Sequence, residues 1–84
     1  MAQANVIIKL YGLLSAYGGP REFPLESETV QDVFRQLYDF GLDRNLLKGA
    51  LIFVNDLPVI GPLRFRHKLE CGDIIALLSP AGGG

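Results

Sequence analysis

The chain of 84 residues has one cysteine and one histidine, and no excess of either charge. Cys71 alone forms no internal disulfide, cannot supply the four thiolates of an iron–sulfur cluster, and does not hold a metal by itself, which points to a reducing, cytoplasmic setting. No serine, cysteine or carboxylate pattern near His67 marks it as a general base. The Gly18–Gly19 pair leads into a strand-like run and not into a helix, so it is not a phosphate loop. Eight basic residues against nine acidic ones give a formal charge of −1, no field for attracting nucleic acid or anionic lipid. No run approaches the ~20 apolar residues that span a bilayer. The opening VIIKLYGLL has no basic stretch before it and is interrupted by Lys9, which favours a strand over a leader. There is no internal repeat or linker. The sequence therefore predicts no catalytic residues, no metal and no cofactor of the chain's own.

What the chain does have is apolar residues, 49% of the total, enough for one small core but not two. Val6, Ile8 and Leu10 alternate with Ile7, Lys9 and Tyr11, the period of a strand. Ser15 to Pro20 supplies turn residues, and Phe23 and Leu25 resume the alternation around Pro24, which lacks an N–H and so belongs on a sheet edge. Thr29 with Asp32 three residues on reads as a helix N-cap; Val30, Val33, Phe34, Leu37 and Tyr38 follow at helical spacing until Gly41. Leu42, Leu46 and Leu47 suggest one further turn. ALIFVND is a third strand stopped at Asn55–Asp56, a short strand fits near Leu57 to Ile60, and Ile74 to Leu78 is a last, central strand beside the first. The expectation is an α+β domain over residues 1–81, one main helix on one face of a mixed four- to five-stranded sheet, and a glycine tail at 82–84.

Four features are left over. The cluster Arg64, Arg66, His67, Lys68 around Phe65 reads as a solvated loop or as a contact for an acidic partner. Ile7, Tyr11, Ile74 and Leu78 do not fit under the helix together with Val6, Ile8, Ile75 and Leu77, so the second sheet face carries an apolar patch suited to a partner, to self-association or to none. Cys71 in its turn reads as a small filler. The glycines of the tail read either as an untied end or as a thin thread, free of side chains, that brings a carboxylate into a narrow channel.

Taken together, IKLYG, ETVQDVFRQL, IFVND, the run Leu69-Glu70-Cys71-Gly72-Asp73 and the spacing from there to the final glycine pair resemble the MoaD/ThiS sulfur carriers, ubiquitin-like β-grasp proteins. The resemblance spans nearly the whole chain. Cys71 stands where that family has an acid, Ser79-Pro80 replaces a proline pair, and Gly82 adds a third glycine. The resemblance implies a non-catalytic carrier: a ubiquitin-activating-type enzyme uses ATP to adenylate Gly84, a sulfur donor displaces AMP, and the thiocarboxylate passes to the molybdopterin synthase large subunit or an equivalent acceptor. It assigns Gly83 and Gly84 to the reactive end, Pro80, Ala81 and Gly82 to its thread, and Leu78, Ala76, Ile74, Ile7 and Tyr11 to the partner face, Leu78 foremost. The chain's length favours the molybdopterin type over the thiamine type. Sulfur delivery to thiamine, cysteine or another metabolite, a ubiquitin-like modifier conjugated through Gly84, and a plain interaction module are the alternatives.

Overall fold

A computed structural model of the protein describes residues 3–79. Five strands, β1 (Ala4–Gly12), β2 (Glu22–Ser27), β3 (Leu51–Val54), β4 (Leu57–Pro58) and β5 (Ile74–Ser79), form one mixed sheet in the order β2-β1-β5-β3-β4. β5 lies in the middle, parallel to β1 and antiparallel to β3, as its unbroken apolar run predicts for a strand covered on both sides by neighbours. β2 is an edge strand, and Pro24 pairs opposite Ile7 where no sixth strand needs its missing N–H.

Helix α1 (Val30–Asp39) packs across one sheet face. Thr29 caps it by accepting from the Asp32 amide at 3.3 Å, and the Asp32 carboxylate returns the contact one residue further out, accepting from the Glu28 amide at 3.1 Å. A helix of ten residues does not persist alone in water. Its stability comes from Val30, Val33, Phe34 and Leu37, all at most 4% exposed, each burial contributing roughly 1.5–3 kcal/mol. They meet Val6, Ile8 and Leu10 of β1, Ile52 and Val54 of β3, and Ile75 and Leu77 of β5. Gln36 ties the helix to the edge strand, donating from Nε2 to the buried Ser27 hydroxyl at 2.8 Å and to the Glu26 carbonyl at 2.9 Å. Gly41, at φ 98°, ends the helix in the left-handed region. The short helix α2 (Arg44–Lys48) follows, capped by Asp43, whose carboxylate accepts from the Asn45 and Leu46 amides.

One stretch departs from the sequence reading. The opening apolar run does not continue as strand through Leu14: it stops at Gly12, and Leu13–Ala16 make a 3₁₀ turn that drops Leu14 into the end of the core, 1% exposed. The following loop closes on itself through Tyr17, whose hydroxyl donates to the Pro20 carbonyl at 2.8 Å. Partial burial pushes the pKa of that phenol up from its ordinary value.

Candidate functional site: the outer sheet face and the base of the tail

Strand alternation sends β1 and β5 residues to two faces, and direct cross-strand partners share a face. The register lays out the face opposite α1 in rows. Pro24, Ile7 and Ile74 form the first; Glu22, Lys9, Ala76, Phe53 and Pro58 the second; Tyr11, Leu78 and Leu51 the third. The five residues expected on a partner face, Ile7, Tyr11, Ile74, Ala76 and Leu78, thus lie together. Tyr11 at 47% and Ile74 at 38% exposed stand out from it, while Ile7, Ala76 and Leu78 are half-buried by their neighbours. The sequence reading missed Leu51, 46% exposed, and Phe53. Their alternation with Ile52 and Val54 was visible, but a strand of four apolar residues does not say which pair faces the helix. Lys9 is the one charge within the three central strands of these rows, half-buried and directly opposite Glu22.

Two of the sequence signals turn out to set this register. Asn55 and Asp56 adopt φ 53° and 69°, closing the β3–β4 hairpin with the left-handed residues that such turns require. From that corner the Asn55 side chain donates to Asp73 Oδ1 at 2.8 Å and accepts from the Ile74 amide at 2.9 Å. Asp73 Oδ2 accepts from the Glu70 amide at 2.8 Å, and the Gly72 amide donates to the Asn5 carbonyl at 2.9 Å. IFVND and the Gly72-Asp73 pair are therefore one clamp on the start of β5, and a slip of one residue there would turn the outer face inward.

At the other end of β5 stands Ser79, the last described residue, 1% exposed. Its hydroxyl accepts from the Leu14 amide at 3.1 Å. Gly12, its partner across the ladder, comes so close that a Cβ there would sit 2.6 Å from the Ser79 carbonyl oxygen. This explains why a small residue follows Tyr11. The row Tyr11–Leu78–Leu51 is the one next to Ser79, so the apolar face adjoins the point from which the chain continues. Pro80, Ala81, Gly82, Gly83 and Gly84, to which the thread and the reactive end were assigned, lie outside the described residues.

Cys71 corrects one expectation: it fills no gap but is exposed at the tip of the turn before β5, because Gly72 at φ 92° turns the chain outward there. His67 is exposed, and its carbonyl accepts from the Val30 amide at 3.1 Å. Among the described residues no group of three or more His, Cys, Asp or Glu gathers in a way that would hold a metal ion. Among them, too, no helix is long and apolar enough to cross a membrane.

No family model matches the chain, and no curated protein does. Solved structures do. The chain is similar to the small archaeal modifier protein 1 of Methanosarcina acetivorans, with 26% identity over 100% of both chains and a TM-score of 0.80. It is also similar to a chain in the complex of subunits 1 and 2 of the molybdopterin-converting factor from Helicobacter pylori, with 21% identity over 95% of this chain and 99% of that one and a TM-score of 0.72. Urm1 of Trypanosoma brucei is similar with 15% identity over 100% of this chain and 99% of that one, again with a TM-score of 0.72. These likenesses establish the fold as a β-grasp-like α+β domain.

Proposed function

We propose that the protein is a sulfur carrier whose Gly84 carboxyl is activated and converted to a thiocarboxylate, and that it serves as the small subunit of a molybdopterin synthase. In the first step a Gly84 carboxylate oxygen attacks the α-phosphate of ATP on a ubiquitin-activating-type enzyme, and pyrophosphate leaves. A sulfur nucleophile then attacks the acyl carbon and AMP leaves, which deposits sulfur at the end of the chain. The acceptor subunit takes the sulfur from there. The chain's part is to dock and to present its end.

The observation that carries this reading is the junction of the Tyr11–Leu78–Leu51 row with the Ser79 anchor: an apolar face lies beside the residue from which the chain runs on toward its glycines. A partner seated on that face receives the thread at a fixed origin. Supporting it are the fold likeness to a chain of a molybdopterin-converting factor complex and the residues IKLYG, IFVND and Gly72-Asp73. A second reading, conjugation of Gly84 to an amine on another protein, is favoured by the likeness to the small archaeal modifier protein 1. Both readings share the activation step and part at the acceptor.

The docking half is tested by Leu78→Glu in a binding assay with the synthase-type large subunit. A carboxylate forced into the centre of an apolar contact without a counter-charge is expected to weaken binding by about 100-fold. Tyr11→Glu, at a more exposed position of the same row, is expected to act in the same direction and covers the case in which Leu78→Glu disturbs the fold. Unchanged affinity in two folded variants would contradict docking through this face.

A further inference from the structure

The basic cluster that the sequence isolates plays no part in the carrier reading. The structure splits it: Phe65 and Arg66 lie against the helix, His67 and Lys68 border a groove with Val54, Asn55 and Leu57, and Arg64 borders one with Leu51 and Ile52. The segment after β4 runs back against α1 and leaves a cleft of about 430 Å³ between them, lined by Phe34, Tyr38, Pro62, Phe65, Arg35 and Arg66 among others.

Its walls are held. The Phe65 ring meets Phe34 edge-on, centroids 5.1 Å apart at 78°. The Val30 amide donates to the His67 carbonyl, and the Leu69 amide to the Glu28 carbonyl at 2.9 Å, so the chain leaving the wall is stitched to the start of the helix. The Arg64 guanidinium lies 4.6 Å from the Phe65 ring centre and that of Arg44 4.7 Å from the Tyr38 ring centre. Within the cleft itself Phe34, Tyr38 and Phe65 supply aromatic lining and Arg35 and Arg66 the guanidinium groups.

The charged side chains that line the cleft, Arg35 and Arg66, are both basic. From Leu57 to Leu69 the chain carries Arg64, Arg66, His67 and Lys68 and no acid. The nearby Asp32 is already committed: Oδ1 accepts from Arg35 at 2.6 Å and Oδ2 from the Glu28 amide. Among the described residues Arg66 makes no ion pair and is exposed. A guanidinium at the mouth of an aromatic cleft offers a planar fork to a carboxylate, while the rings below take an apolar side chain.

We infer that this cleft binds an acidic peptide segment of a partner protein, one aromatic side chain entering against Phe34 and Phe65 and a flanking carboxylate meeting Arg66. The cleft shares no residue with the outer-face rows, so occupation of one does not block the other.

The test is a titration of the isotope-labelled full chain, followed by amide NMR, with a short synthetic peptide carrying one phenylalanine between glutamates. Saturable shifts are expected in the amides of the 31–38 and 63–66 segments. Replacing the glutamates by glutamines, or making Arg66→Glu in the exposed rim, is expected to weaken binding about tenfold, the scale of one charge-assisted contact; Leu78→Glu is expected to leave it unchanged. A glutamine peptide that binds equally well, shifts confined to the outer sheet face, or shifts of the same amides by single-stranded RNA but not by the peptide would each overturn the inference.

Discussion

Gly12→Val is expected to lower stability by about 3 kcal/mol or more, a loss of at least ~12 °C in the unfolding midpoint of a domain this size. Two independent costs add at this position. The backbone stands at φ 66°, ψ −144°, a region open in practice to glycine alone, so any side chain is strained there. The added Cβ also meets the Ser79 carbonyl oxygen at 2.6 Å and the Ser79 hydroxyl at 3.0 Å, and the first of these is backbone in the central strand, which cannot swing aside. Gly18 is the control. Its φ of 96° carries similar strain, but a Cβ there meets nothing within 4 Å, so Gly18→Ala is expected to cost only about 1 kcal/mol. Thermal or denaturant unfolding of the two variants measures the difference. Near-equal losses would mean that the approach of Gly12 to Ser79 contributes nothing. The consequence reaches function, because the atoms that Gly12 accommodates are those that anchor the base of the tail.

Deleting Gly83 and Gly84 is expected to abolish activation while leaving the fold intact. Among the described residues the core runs from Ala4 to Leu77, so the truncated chain is expected to unfold at the same temperature as the full one. Its terminal carboxyl, however, is drawn back by about 7 Å, two residues of extended chain. A displacement of ~1 Å at a reacting centre already costs about 100-fold, and the anchor at Ser79 prevents the body from following the end inward. Gly84→Ala keeps the reach and is expected to retain more activity than the truncation. Pyrophosphate exchange with the cognate adenylating enzyme reads both variants. A truncated chain adenylated at the full chain's rate would remove Gly83 and Gly84 from the reaction.

Those features of the fold that depend on local chemistry were legible in the sequence. The period of two in Val6 to Tyr11, the cap at Thr29, the turn at Asn55–Asp56 and the edge position of Pro24 each follow from a few adjacent residues and reappear in the structure. What escaped depends on residues far apart in the chain. Leu13 and Leu14 look like more strand until Gly12 is seen to break it for the sake of Ser79. Nothing next to Ser79 in the sequence announces that its hydroxyl accepts from the Leu14 amide, 65 residues away. Leu51 and Phe53 join the outer face only through pairing with Leu78 and Ala76. Cys71 has no local mark that separates a packed thiol from an exposed one; the outward turn at Gly72 decides it. The apolar face itself was legible by subtraction, since one helix cannot cover both faces of β1 and β5.

Intact mass of the full chain, after incubation with the adenylating enzyme, ATP and a sulfur donor, tests the carrier reading most directly. A single product is expected in which one oxygen has been replaced by sulfur, mapped by fragmentation to Gly84 and reversed when the acceptor subunit and its substrate are added. An unchanged mass, or heavier conjugates joined through Gly84 to amines of other proteins with no sulfur-bearing species, would contradict it.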